Sequence, residues 1–208
     1  LEDYFSVFSL NKNNFFTDVS NYLSYETGQP THCYDANTIN NKLIFHEIES
    51  DEEFETLLGK KISLKGKNAV FSLNNEVINL AGVVGGNSTS CSADTRTVIV
   101  ECAFFKPEAI IGKSVRYDIQ SEASHKFERG VDRECQDKVL RRFIKVVAEH
   151  TSIKNMSIVS YQYEENKIHR IPVNIHKINQ IIGIDLSKNE YLNYLKKLGF
   201  VIEDGVIK

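Results

Sequence analysis

The sequence predicts an α+β fold: mixed, largely antiparallel sheets with flanking helices, followed by a small, incomplete α/β appendage. Three observations carry this expectation. Short β-rich segments follow one another from Lys42 to Glu101, separated by turn signals only a few residues long. The longest amphipathic helical pattern comes after them, up to about His150. From Ile171 onward the pattern changes again, to short helices and short strands. Strands first and helices afterwards favour segregated α and β elements over a doubly wound parallel sheet.

In chain order, FFTDVSNYLSYETG predicts a helix with Asp18 or Ser20 as its cap, apolar positions at Val19, Tyr22 and Leu23, and an end at Gly28 and Pro30. A loop, QPTHCYDAN, follows and carries His32. Lys42 to Ile48 alternates imperfectly, as a half-buried strand does. The acidic run ESDEEFE reads as a solvated loop or short helix. Gly59 and Gly66 bracket a strand at Ile62–Leu64, and Asn74-Asn75 joins Ala69–Leu73 to Val77–Leu80 as a hairpin, since paired asparagines tolerate positive φ.

The stretch from Ile78 to Arg133 organises the chain. An apolar run ends in Gly85-Gly86, where paired glycines permit close backbone approach or positive φ. Thr97 to Glu101 is β-rich and delivers a carboxylate beside Cys102, Ala103, Phe104 and Phe105. A carboxylate there is exposed, paired or working, with Arg96 and Lys106 as the nearest candidate partners. Pro107 opens a short helix closed by Gly112. SEASHKFERG then lies ahead of a helix capped by Asp132, with Val139, Leu140, Phe143, Ile144 and Val147 as its apolar stripe. Residues 152–163 read as a strand, and YEENKIHR as a linker. In the tail, Ser187 and Glu190 have capping-box spacing, Tyr191, Leu192, Leu195 and Leu198 share one face, Gly183 and Gly199 stop the two helices, and VIEDGVIK reads as the first arm of a hairpin cut short.

Composition narrows the function. With 208 residues and 41% apolar content the chain can bury a real core as one or two domains. A formal charge of -3 and a pI near 6.1 disfavour a generic nucleic-acid binder. The compact basic cluster is Lys113, Arg116, Lys126, Arg129 and Arg133, a solvated helix-start cluster or a set of phosphate contacts. No apolar run of about 18 residues is present to span a membrane, no signal-peptide pattern opens the chain, and the missing initiator Met suggests a piece of a longer protein. Cys33, Cys91, Cys102 and Cys135 form no CxxC pair, which argues against zinc and reads as reduced, cytoplasmic thiols. The glycine-rich GVVGGNS lacks the lysine and spacing of a P-loop, and neither GxGxxG nor GxSxG occurs. The residues alone give a pocket with a carboxylate, a histidine and glycines; they name no substrate.

Four blocks in order, DVSNYLSYETGQPTHCYD, LAGVVGG, VECAFFKPEAI and SEASHKFERGVD, resemble the central editing module of the bacterial phenylalanyl-tRNA synthetase beta subunit. The resemblance implies an editing-type domain over residues 1–165, its N-terminal edge truncated, and over 170–208 the incomplete start of a small nucleic-acid-binding module. It implies hydrolysis of tyrosine misattached to tRNA(Phe), a synthetase alpha subunit as partner in a heterotetramer of two alpha and two beta chains, and the tRNA acceptor end as substrate carrier. ATP and magnesium belong to the full enzyme, with no cofactor in this segment.

Carried over residue by residue, Glu101 matches the glutamate that contacts the tyrosine para-hydroxyl. His32 matches the histidine of the GQPxH block, and Gly85 the glycine wall of the pocket. Ser121 and Ala123 match the T-x-A-S-H block, and Ser20 and Asn21 the threonine–asparagine pair lining the cavity. His32, Asn21 and Glu101 are thus the expected catalytic and positioning groups, and Ser20, Gly85, Glu101, Ser121 and Ala123 the expected substrate contacts. Serine at 20 and 121, Cys33-Tyr34 in place of Ala-Phe, and Val84 in place of Met are departures from the family pattern. The alternative is a non-catalytic scaffold or tRNA-docking domain, which a filled cavity with Glu101 locked in an ion pair would favour.

Overall fold

The computed structural model describes residues 2–49, 51–163, 169–203 and 206–207. The chain forms two compact units, Leu1–Met156 and Ser157–Lys208. The larger unit opens with helices α1 (Glu2–Val7) and α2 (Phe15–Thr27). The cap of α2 is Asn14, not Asp18 or Ser20. Its extended backbone lets the side chain accept the Thr17 N–H, whereas Asp18 and Ser20 already lie inside the helix. Gly28 closes α2 in the left-handed region, at φ 78°.

The segment expected to be a loop around His32 is instead strand β1 (His32–Asp35). Strands β2 (Ile44–Ile48), β3 (Glu52–Glu55), β4 (Lys61–Leu64), β5 (Asn68–Leu73), β6 (Glu76–Leu80), β7 (Val84–Gly85) and β8 (Val98–Glu101) are the remaining strands of the larger unit. All pairings are antiparallel: β2-β5-β6-β7 forms a four-stranded sheet, and β1-β8 and β3-β4 form ribbons. The acidic run also departs from its reading as loop or helix. Within β3, Phe54 turns inward opposite Ile62 while Glu53 and Glu55 face out opposite Ser63 and Lys61, so one buried ring anchors an otherwise charged strand. Asn74 and Asn75, at φ 54° and 67°, make the two-residue hairpin between β5 and β6 that the sequence predicts.

Four helices follow: α3 (Pro107–Ile110), α4 (Lys113–Tyr117), α5 (Glu122–Arg129) and α6 (Gln136–His150). SEASHKFERG is thus itself helical, with Ser121 capping α5 by accepting the Ser124 N–H. Asp132 does not cap α6; its carboxylate accepts the Glu134 N–H in a local turn, and the helix starts at Gln136. Residues 152–163 form no strand. No neighbouring strand satisfies their backbone, and Ile153, Met156, Ile158 and Val159 are exposed.

Two larger cores lie in this unit. One joins α2 and α6 through Val19, Leu23, Phe143, Val146 and Val147 to Cys33. The other packs Leu64, Val70, Leu80, Phe105, Ile110 and Phe127 between strands and short helices. A smaller cluster packs Tyr34 of the ribbon against Leu73 and Ile78.

The second unit has β9 (Ile171–Pro172), α7 (Ile175–Ile182), α8 (Lys188–Lys197), β10 (Ile202–Glu203) and β11 (Val206–Ile207), the strands ordered β10-β11-β9. The Ser187–Glu190 capping box is formed. The expected hairpin is present with both arms, where one truncated arm was anticipated. Of the expected linker 163–170, residues 164–168 lie outside the described residues.

Candidate functional site

Side chains of a strand alternate between faces, and directly opposed residues of an antiparallel pair share a face. In the β1-β8 ribbon Cys33 opposes Val100, and both turn to the α2–α6 core. His32 opposes Glu101, and Tyr34 lies two residues beyond His32 on that same face. The backbone alone therefore sets an imidazole, a phenol and a carboxylate side by side.

His32 and Glu101 border a small open cavity of about 60 Å³, lined also by Thr31, Asn79, Gly85 and Ala123 among others, and Tyr34 stands behind that lining. That is room for a few waters at about 10–15 Å³ each, so an aromatic side chain requires the lining to give way. Glu101 is half-buried, and its Oε2 accepts the Tyr34 hydroxyl at 2.7 Å. Tyr34 Oη in turn accepts Asn79 Nδ2 at 2.8 Å. Desolvation pushes the Glu101 carboxyl up to about 7, with the Tyr34 hydrogen bond pulling the other way. Arg96, a candidate partner from sequence, donates instead to the Ala93 and Thr95 carbonyls.

His32 packs edge-on to Tyr34, with ring centroids 4.4 Å apart. Its Nε2 is sealed from solvent and has no hydrogen-bond partner. Burial draws its pKa down to about 4, so the ring is neutral near pH 7. A buried polar atom without a partner is uncommon and marks a place where a ligand or water would be held.

The glycine pair works by close approach; neither Gly85 nor Gly86 has positive φ. A Cβ on Gly85 would lie 2.3 Å from His32 Cε1, and one on Gly86 would lie 2.5 Å from the Ile78 carbonyl oxygen. Gly82, at φ 69°, does need left-handed backbone, in the turn closed by Val83 N–H to Leu80 O at 2.9 Å.

Of the residues singled out by sequence, His32, Gly85, Glu101 and Ala123 line this cavity together. Ser20, Ser121 and Asn21 do not. The Ser20 hydroxyl bonds to Thr31 O and Thr31 Oγ1, each at 2.7 Å, and so holds a lining residue from behind. Ser121 Oγ is engaged as the α5 cap and with the Val83 carbonyl, 2.6 Å away. Asn21 is half-buried on α2, outside the lining. Sequence reasoning passed over Tyr34 as a working group and Asn79 altogether. The two-residue step from His32 would have marked Tyr34 had β1 been recognised as a strand.

Each basic side chain of the cluster is engaged within the protein. Lys113 and Arg116 donate to carbonyls of Lys67 and Lys65, Lys126 to Ser24, Arg129 to the His125 carbonyl, and Arg133 lies over the Phe104 ring. A larger open groove, about 470 Å³, is lined by Glu52, Glu53, Glu55 and Glu76 with Asn75 and Asn87, and none of the expected site residues reaches it. Among the described residues no group of three His, Cys, Asp or Glu is arranged to hold a metal ion, and no helix is long and apolar enough to cross a membrane. All four cysteines are free thiols.

A family model described as the B3/4 domain matches residues 7–152. The phenylalanine–tRNA ligase beta subunit of Psychrobacter arcticus is 33% identical over 196 residues, 93% of this chain and 24% of that protein. The corresponding subunit of Ehrlichia canis is 32% identical over 208 residues, 99% of this chain and 26% of that protein. The chain thus spans about a quarter of the length of these curated relatives. Among solved structures, an N-terminal fragment of the phenylalanyl-tRNA synthetase beta subunit of Pyrococcus horikoshii aligns with 92% of this chain and 58% of that chain, at 12% identity and a TM-score of 0.43.

Proposed function

The chain belongs to the B3/4 domain family, and from that premise we propose that it is the proofreading module of a phenylalanine–tRNA ligase beta subunit, hydrolysing tyrosine esterified to tRNA(Phe). Its expected partners are the acceptor end of that tRNA and the synthetase alpha subunit, in a heterotetramer of two alpha and two beta chains. ATP and magnesium serve the activation step elsewhere in such an enzyme. The second unit would begin the module that follows.

One observation carries the reading: His32 and Glu101 converge on one cavity beside Gly85 and Ala123, and Glu101 accepts a tyrosine hydroxyl. Tyrosine and phenylalanine differ by one hydroxyl. An apolar activating pocket rejects the added hydroxyl weakly, whereas a site built to hydrogen-bond it rejects its absence by about 10⁴ or more. Water adds to the ester carbonyl, the bond to the ribose oxygen breaks, and that oxygen leaves with a proton. The ester is already activated, so orientation of water and carbonyl supplies much of the rate.

The test is deacylation of tyrosyl- and phenylalanyl-tRNA(Phe) by the beta subunit assembled with its alpha partner. Preferential loss of the tyrosyl ester is expected, and its abolition by Glu101→Ala. Rates for both esters no faster than spontaneous hydrolysis would favour the scaffold or docking role instead, and an unaltered preference in Glu101→Ala would place the discriminating group elsewhere.

A further inference from the structure

We propose that Tyr34 is a positioning and specificity-determining residue of this pocket: by donating its hydroxyl to Oε2 of Glu101, it fixes the carboxylate so that the remaining oxygen receives the phenol of the bound tyrosyl group. The inference rests on the functional reading above and adds to it a residue outside the expected site.

Tyr34 is 0% exposed, so its hydroxyl is buried and must be satisfied internally. It is satisfied on both sides, by Asn79 Nδ2 as donor at 2.8 Å and by Glu101 Oε2 as acceptor at 2.7 Å. Asn79 is itself only 4% exposed and sits in β6, opposite Gly85 of β7. The relay Asn79→Tyr34→Glu101 thus ties the carboxylate to the centre of the four-stranded sheet. It also runs in one direction. With its acceptor capacity met by Asn79, the Tyr34 hydroxyl is oriented to donate, and only an ionised or suitably turned carboxyl receives it.

A carboxylate offers about four lone-pair sites and accepts two phenols without strain. A ligand lacking the hydroxyl leaves one oxygen of a half-buried carboxylate unpaired, which is the costly state. The second phenol stabilises the ionised form more than the protonated one, so the preference for tyrosine is coupled to loss of the Glu101 proton. Other groups facing this carboxylate are His32 from β1, neutral by burial, and Ala123 and Phe127 from α5, which carry no charge. The Cys33 and Cys102 thiols are raised chiefly by burial and, in smaller part, by its charge.

The experiment measures single-turnover deacylation of both esters by the assembled enzyme between pH 5.5 and 8.5, as the ratio of tyrosyl to phenylalanyl rates. Titration of groups common to both substrates cancels in that ratio. In the parent the ratio should fall as pH drops through the range where Glu101 takes its proton. Tyr34→Phe removes a hydrogen bond to a charged group, so the midpoint should move up by about one pH unit or more, with roughly a tenfold loss of preference at neutral pH and recovery at the alkaline end. Asn79→Ala keeps the Tyr34 hydroxyl but frees it, and should shift the midpoint the same way by less; it serves if Tyr34→Phe does not fold. A purely structural Tyr34 would lower the thermal midpoint while leaving the pH midpoint at the parental value, and that result overturns the proposal. A parent without tyrosyl preference at any pH removes the functional reading, and the proposal with it.

Discussion

Gly85→Ala isolates the narrowest point of the pocket. The backbone at Gly85 is ordinary, so the substitution carries no conformational strain of its own. The obstacle is spatial: the new methyl would lie 2.3 Å from His32 Cε1, 2.8 Å from His32 Nε2 and 3.0 Å from Leu57 Cδ1. Carbon atoms rest at about 3.5–4.0 Å, so the imidazole must retreat by about an ångström or more. It cannot retreat easily. Tyr34 stands edge-on behind it at 4.4 Å, and β7 is pinned by Leu57 N–H to Gly85 O at 2.9 Å. Overpacking of this kind costs about 1–3 kcal/mol, or roughly 2–4 °C in Tm for each kcal/mol in a domain of this size. On the proposed reading, deacylation should fall far more than stability, since an ångström of misplacement near the reacting atoms can cost about 100-fold. Thermal denaturation and single-turnover hydrolysis of tyrosyl-tRNA(Phe), measured on one preparation, check both. Gly86→Ala is the control: its methyl would meet the Ile78 carbonyl at 2.5 Å, a backbone clash that should lower Tm more than Gly85→Ala does. Parental hydrolysis and parental Tm in Gly85→Ala would refute the close approach as the site's constraint.

Ala123→Trp should fill the cavity and abolish hydrolysis with the fold retained, checked by deacylation and circular dichroism; parental rates would place the site elsewhere. The two titrating groups should oppose each other in urea unfolding measured against pH. Glu101, raised from 4.5 to about 7, makes stability fall as pH rises through that interval, and His32, lowered from 6.5 to about 4, makes stability rise between those values, each by about 3 kcal/mol at 1.36 kcal/mol per unit. The parent should therefore be nearly level from about pH 4.5 to 6.5 with respect to this pair, Glu101→Gln should gain a rising slope, and His32→Gln a falling one; variants parallel to the parent would contradict both shifts. Binding of tRNA by the isolated chain should be weak and salt-sensitive, because its net charge is -3 and Lys113, Arg116, Lys126, Arg129 and Arg133 offer only a few phosphate contacts, and a gel shift across a salt series would show it.

The sequence was most legible where the signal is local. The Asn74-Asn75 turn, the Gly28 stop of α2 and the Ser187–Glu190 capping box each need only a few adjacent residues, and each is formed. It was least legible where the partner is distant. His32–Asp35 is too short for periodicity to speak, and its ladder partner lies more than sixty residues away in β8. The acidic run became β3 although its partner is near in sequence: the one inward ring, Phe54, meets Ile62 across the ribbon, and the charges around it mask the strand pattern. The convergence of His32, Gly85, Glu101 and Ala123 came from motif resemblance, since no spacing rule joins them. Resemblance also drew in Asn21 and Ser121, whose positions here lie outside the cavity lining. Tyr34 and Asn79 were missed because neither stands out in composition; their importance is visible only once a buried hydroxyl must be satisfied.

The same burial that sharpens recognition limits acid–base work in this pocket. A general base is most effective with a pKa near the working pH. His32, drawn down to about 4, is a poor proton acceptor at neutral pH and serves better as a hydrogen-bonding group, its buried Nε2 being without a partner. Glu101, near 7, has the better-matched pKa, yet on the proposed reading it faces the distal hydroxyl of the tyrosyl group, at the far end of the side chain from the ester. The group poised to exchange protons is thus committed to recognition, and the one closer in character to a base is electrically quiet. Hydrolysis on this arrangement must draw its rate from orientation of water against an already activated ester. Substitutions at Glu101 should then act mainly on the choice between tyrosyl and phenylalanyl esters. Those that displace His32, Gly85→Ala included, should act on the rate for both.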